Sequence, residues 1–175
     1  MTYRLAAEKD LDGIMVMVRR IIERPGTAWD DEYPRREHFE GTLKREGLYV
    51  AEENGRIVGT VGIEPAEDIF ESLECWSPAV KPGEGVRFGI DPEYQGEHLA
   101  IPFMCFCMND ASSRLGYDML RFTAAKENRR ANAVYTYMGI DRVGETNRID
   151  ISWWCYEARL PLVVDGETMR LIKQS

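Results

Sequence analysis

The stretch Gly85-Val86-Arg87-Phe88-Gly89-Ile90-Asp91-Pro92-Glu93-Tyr94-Gln95-Gly96-Glu97-His98-Leu99-Ala100 decides how the chain is read. Val86, Phe88 and Ile90 alternate with Arg87 and Gly89, which is the period of a strand. Asp91-Pro92 ends that strand, because the residue before proline is held extended and proline cannot donate to a ladder. Gln95 to Ala100 predicts a turn of small and polar residues, and the apolar run from Leu99 to Met108 follows directly as a helix. A turn that feeds a helix start presents unpaired backbone N–H groups at the positive end of the helix dipole. That is the chemistry of an anion site, phosphate above all. An ordinary strand-to-helix connection with nothing bound is equally open at this point.

Upstream, Leu48 to Glu52 and Arg56 to Ile63 flank Asn54-Gly55, the signature of a type I′ hairpin. Pro65 to Glu84, with Phe70, Leu73 and Trp76, is acidic and irregular. Before the hairpin, Tyr3 to Ala6 predicts a first strand, and Asp10 is placed to cap a helix. Leu11, Ile14, Met15, Val18, Ile21 and Ile22 give that helix one apolar face. Pro25-Gly26 stops it, and Thr27 to Tyr33 is a loop carrying three acids. Pro34 opens a second helix containing Phe39 and Leu43, which Gly47 ends. Downstream, Gly116 stops the apolar helix and Tyr117 to Ala124 reads as a buried strand. Asn128 to Met138 is helical up to Gly139, and Ile140 to Glu145 and Ile149 to Leu160 are two last strands. The order is β-α-α-β-β-β-α-β-α-β-β. It predicts an α/β (α+β) fold, a mixed and largely antiparallel sheet flanked by helices. With no repeat or linker in view, residues 1–175 read as one domain.

The 175 residues carry 22 Lys and Arg against 30 Asp and Glu, a net charge of −8. That balance argues against nucleic acid as a partner, since such binding rests on neutralising phosphates with Lys and Arg. Cys105 and Cys107 are two apart on a helix and point to opposite sides, so they do not chelate one metal; with Cys75 and Cys155 they form no paired CxxC motif, and no metal is expected. The thiols read as buried and reduced. No apolar run approaches the ~18–20 residues of a membrane span, and Met-Thr-Tyr-Arg-Leu does not resemble a secretory signal. A soluble cytoplasmic protein is expected.

A second segment, Asn128-Arg129-Arg130-Ala131-Asn132-Ala133-Val134-Tyr135-Thr136-Tyr137-Met138-Gly139-Ile140, makes the reading specific. With Gln95-Gly96-Glu97-His98-Leu99-Ala100 after Ile90-Asp91-Pro92, it resembles the GCN5-related N-acetyltransferase (GNAT) family. The family's loop reads Gln/Arg-x-x-Gly-x-Gly/Ala. Gln95 and Ala100 match, and His98 stands where the family has glycine. Asn128, Ala131, Tyr135, Gly139 and Ile140 meet the second pattern at all five positions. The resemblance spans nearly the whole chain and is strongest from Gly85 to Glu145.

The resemblance implies transfer of an acetyl group from acetyl-CoA to a primary amine, carried by a small molecule or a peptide, by direct attack and without a metal. Gly96, Glu97, His98, Leu99 and Ala100, with Gln95, would hold the pyrophosphate, and Asn128 would contact the cofactor while capping its helix. Backbone of Phe88 and Ile90 would meet the pantetheine arm and polarise the thioester carbonyl, with Gly89 letting the arm lie close. Tyr135 is the matched acid for the departing thiolate. At a pKa of about 10 it is protonated at neutral pH, above a thiol's ~8.5. A lysine-like amine is only ~0.1% neutral at pH 7, a cost of about 4–5 kcal/mol, so a base is wanted. Glu64, at the end of the hairpin's second strand, is the first candidate, followed by Glu84 and Glu32. Trp29 and Tyr33 would line the acceptor pocket; Tyr137 faces elsewhere on its helix. A homodimer is common in the family. A module that binds CoA as a sensor without turnover stays open as the alternative, as does a plain partner-binding domain.

Overall fold

Seven strands form one sheet in the computed structural model, which describes residues 1–66, 73–96, 99–148 and 150–162. Glu97 and His98 of the expected loop, and Phe70, lie outside those residues. In chain order the elements are β1 Thr2–Leu5, α1 Leu11–Ile22, α2 Arg36–Lys44, β2 Leu48–Glu53, β3 Arg56–Pro65, β4 Pro82–Ile90, α3 Ala100–Leu115, β5 Met119–Ala125, α4 Arg129–Tyr137, β6 Asp141–Arg148 and β7 Ile151–Arg159. The sheet runs β1-β2-β3-β4-β5-β7-β6. Every neighbouring pair is antiparallel except β4 with β5. This is the mixed, largely antiparallel sheet that the order of elements predicts.

Local chemistry fixes the boundaries. Asn54 and Gly55 both take positive φ, 51° and 80°, as a type I′ turn requires. Gly116 closes α3 in the left-handed conformation at φ 74° and donates to the Ser112 carbonyl at 3.0 Å. Asp10 departs from expectation. Its carboxylate turns back to accept from the Ala7 N–H at 2.7 Å and from Arg4 at 2.6 and 2.9 Å, so it does not cap α1.

Two layers of helix cover the sheet. On one face α1 and α2 bury Leu11, Ile14, Met17, Val18 and Phe39 against Leu48, Val50 and Ile57. On the other, α3 buries Phe103, Met104, Cys107 and Met108 against Tyr49, Val61 and Leu120. Alternation along β2 explains the division, since Leu48 and Val50 face one layer and Tyr49 and Ala51 the other. At roughly 1.5–3 kcal/mol for each fully buried large apolar side chain, these two clusters are the main cohesive force.

β4 is the irregular strand. It pairs with β5 over only Pro82, Gly83 and Glu84, opposite Met119, Leu120 and Arg121. Beyond that point the two strands separate. The Phe122 ring stands in the gap: a Cβ on Gly85 would lie 2.1 Å from it. On the β3 side, Thr60 pairs with Gly89 and Gly62 with Val86, so Arg87 and Phe88 together oppose Val61. This is a β-bulge, and Arg87 sits in it at φ 51°.

Candidate functional site

A cavity of about 710 Å³ opens where β4 and β5 part. Its walls come from β4 (Phe88, Gly89, Ile90), the turn after it (Pro92, Tyr94, Gln95, Gly96), the start of α3 (Ala100, Ile101) and one side of α4 (Arg130, Ala131, Val134, Tyr137). The loop after α1, including Arg24 and Trp29, closes it.

The β4 wall presents backbone. The Asp91 N–H donates to the Val58 carbonyl at 2.9 Å and Ile90 stands opposite Gly59. By antiparallel alternation the peptide groups of Phe88 and Ile90 therefore face the edge that β5 has left. The Ile90 carbonyl already accepts from Gln95 Nε2 at 3.0 Å, so the Gln95 amide closes the turn around the cavity mouth.

The turn itself is fastened from behind. Asp91 is fully buried and accepts from Arg20 of α1 at 2.9 Å, from Arg56 of β3 at 2.8 Å and from the Glu93 N–H at 3.1 Å. Burial alone would raise its carboxyl. The bonds from Arg56, the Glu93 N–H and Arg20 outweigh that and hold it below the ordinary value. Gly96 follows at φ 91°, where a side chain would be strained. Ala100 and Ile101 of the first turn of α3 then line the cavity, a helix start whose backbone N–H groups have no partner within the helix, and Pro102 lacks only a donor that the helix would not use.

Across the cavity, Asn128 Oδ1 caps α4 by accepting from the Ala131 N–H at 3.2 Å. Asn132 ties the helix to the sheet. Its amide donates to the Ala125 and Asn128 carbonyls at 3.0 and 2.8 Å and accepts from the Tyr156 hydroxyl at 2.8 Å.

The structure gathers most of the expected site residues. Phe88, Gly89, Ile90, Gln95, Gly96, Leu99, Ala100, Asn128 and Trp29 all line this one cavity. A Cβ on Gly89 would lie 2.4 Å from the Trp29 ring, which packs against it. Tyr33 is exposed and meets His38 edge-on at 5.0 Å, off the cavity wall. Tyr137, expected to face elsewhere, lines the cavity. Tyr135 is buried behind the wall, its ring 5.0 Å from that of Phe122 and 5.1 Å from that of Tyr156. Burial, and then the neighbouring Tyr156, push its hydroxyl well above the ordinary tyrosine value.

Glu64 is displaced from the role of base. It is 5% exposed, absent from the cavity wall, and its Oε1 is held by Arg87 Nη2 at 2.5 Å and by the Thr42 hydroxyl. Glu64 Oε1 is thus turned toward α2 and Arg87, and the carboxylate stands off the cavity wall.

Two residues were missed. Arg24 and Arg130 are the charged groups on the cavity wall, and no Asp or Glu stands among the described residues lining it. In a chain of net charge −8, that makes the cavity selectively cationic. The adjacent pair Arg129-Arg130 at the start of α4 was the available signal. The described residues contain no His, Cys, Asp and Glu cluster fit for a metal, and no helix among them is long and apolar enough to cross a membrane.

Residues 15–140 match the model of the family described as "Acetyltransferase (GNAT) family". The chain belongs to that family. GNAT structures share its fold at low sequence identity. A ribosomal-protein-alanine N-acetyltransferase from Brucella melitensis superposes with a TM-score of 0.70 at 14% identity, covering 91% of this chain and 100% of that one. The Salmonella typhimurium protein yncA, solved with its cofactor acetyl-CoA, gives 0.69 at 15%, covering 95% and 97%. A spermidine N-acetyltransferase chimera from Vibrio cholerae and hSSAT gives 0.67 at 16%, covering 90% and 94%. No curated protein matches the chain.

Proposed function

We propose that this GNAT protein moves the acetyl group of acetyl-CoA to a primary amine by direct attack. The observation that carries the reading is the cavity between β4 and α4. It combines an unpaired strand edge, a helix start, and two arginines with no opposing carboxylate among the described lining residues. CoA fits each feature in turn. The pyrophosphate suits the N–H groups of Gly96 and of Leu99 to Ile101 and the charges of Arg24 and Arg130. The amides of the pantetheine arm suit the Phe88 edge, in the manner of an added strand. The structural neighbours, one solved with acetyl-CoA and one a spermidine N-acetyltransferase chimera, support the donor and an amine acceptor.

In this reading a neutral amine attacks the thioester carbonyl. The carbonyl oxygen takes the electron pair and is stabilised by the Phe88 N–H. Collapse of the tetrahedral intermediate breaks the carbon–sulfur bond, and the thiolate takes up a proton as it leaves. We assign that proton to Tyr135 on its match to the family pattern; its hydroxyl is protonated at neutral pH and stands behind the cavity wall, not on it. Trp29, pinned on Gly89 and Ile21, walls the side from which the acceptor enters. The domain, 1–175, acts as one unit, in solution and as a monomer or a homodimer.

The test is thiol release from acetyl-CoA across a panel of polyamines, amino acids and peptide N-termini. Turnover with at least one amine, and a fall of about 10²-fold in kcat for Tyr135→Phe, are expected. Tight acetyl-CoA binding without transfer to any amine would overturn the enzyme reading in favour of a sensor module.

A further inference from the structure

We infer that Arg87, Glu64 and Thr42 form a pin that holds the β4 bulge and so aims the Phe88 N–H into the cavity. This rests on the acetyltransferase reading above and adds positioning residues to it. Arg87 occupies the first bulge position at φ 51°, where glycine is usual. It is an arginine for what its side chain reaches. The guanidinium runs over Gly62, where a Cβ would lie 3.5 Å from Nη2 and would already collide with Val86 and Thr42. There it donates to Glu64 Oε1 and Thr42 Oγ1, both at 2.5 Å. The Arg87 and Glu64 side chains are 8% and 7% exposed. Arg45 Nη1 approaches the same carboxylate oxygen at 3.6 Å.

The geometry links this pair to the reacting edge. Without the bulge, Phe88 and Ile90 would keep the register set below Val86, and the strand would stay alongside β5. With it, the peptide after Arg87 turns to the open edge. The pin spans α2, β3 and β4 on the face away from α3, so it fixes the bulge from behind without entering the cavity. Glu64 therefore acts as the counter-ion of a backbone-positioning arginine.

The experiment compares the unaltered chain with Glu64→Gln and with the double variant Glu64→Gln/Arg87→Gly. The double variant leaves no unpaired buried charge and places glycine at a φ that suits it, so it keeps the fold. Steady-state kinetics with acetyl-CoA and an accepted amine are measured from pH 5 to 9, with amide hydrogen exchange at Gly89, which pairs with Thr60 beside the bulge. The expected result is a kcat lowered about tenfold in both variants, part of the ~10²–10³ that losing an oxyanion donor outright costs. The acetyl-CoA KM stays within about threefold, the acidic limb of the kcat/KM profile persists, and Gly89 exchanges faster. Disappearance of the acidic limb in Glu64→Gln would make Glu64 a base after all and overturn the pin. Unchanged kcat and unchanged exchange would overturn it as well. Absence of transfer in the unaltered chain would defeat the acetyltransferase reading instead, and the exchange measurement would still decide whether the pair holds the bulge.

Discussion

Asp91 shows how much of the site rests on residues that never touch it. Its carboxylate is the knot joining α1, β3 and the turn that lines the cavity. Asp91→Asn keeps the shape and removes the charge. The expected loss is about 2 kcal/mol, below the ~3–5 of a fully enclosed pair because Arg20 and Arg56 are each more than a third exposed or close to it. Urea unfolding at pH 7 measures it. The folded carboxyl titrates below its unfolded value of about 3.9. Its stabilisation is therefore complete above that value and fades as the pH falls through the folded one, so the difference between Asp91→Asn and the unaltered chain should shrink in acid. Residues of this kind were the hardest to read from sequence. Asp91 is legible as a strand terminator, and Gly96 as a turn residue, because those roles are local. That Asp91 gathers two arginines from 35 and 71 residues away is not local. Glu64 was misplaced for the same reason: an acid at a strand end says nothing of the partner across the ladder. An arginine in the left-handed region costs about 1 kcal/mol locally, and only the distant Glu64 and Thr42 explain why it stands there.

Among the elements, α4 was the most legible and carries the plainest wager. Asn128 opens it, Gly139 closes it at φ 70°, and Asn132 and Tyr135 look inward to the sheet. Asn128→Ala should cost about 1 kcal/mol of stability for the lost cap. It should also raise the acetyl-CoA KM severalfold, because the first turn of α4 lies on the cavity wall. Thermal unfolding and donor titration separate the two effects. The hairpin was equally legible, since Asn54-Gly55 dictates its own backbone. β4 was not. Its first residues, Pro82 to Glu84, carry little strand propensity and read in sequence as part of an irregular stretch. They are strand because Gly83 and Gly85 make room for Tyr117, Leu120 and Phe122, a fit that exists only once β5 is alongside. Tyr137 was set aside on helical spacing alone. α4 shows one flank to the sheet and another to the cavity, so residues two apart both matter.

For the molecule as a whole, the order of elements was enough to settle the architecture, because each strand and helix is signalled within ten or so residues and the family pattern fixes how they join. The charge of the cavity was invisible in a chain whose total is −8, since the acids fall elsewhere and Arg24 and Arg130 meet only in three dimensions. The parting of β4 and β5 has one more consequence. Among the described residues, three ladder pairs join β4 to β5 across the middle of the sheet. In the proposed reading the open edge of β4 is a place left for one strand, and the donor's amide-bearing arm takes it. Its binding energy then belongs to the integrity of the fold as well as to catalysis. Acetyl-CoA at 100 times its Kd should add about 2.7 kcal/mol to the unfolding free energy, read as a concentration-dependent rise in melting temperature. Inorganic pyrophosphate, which can occupy the turn but cannot span the slot, should add far less. On that reading the co-substrate completes the sheet.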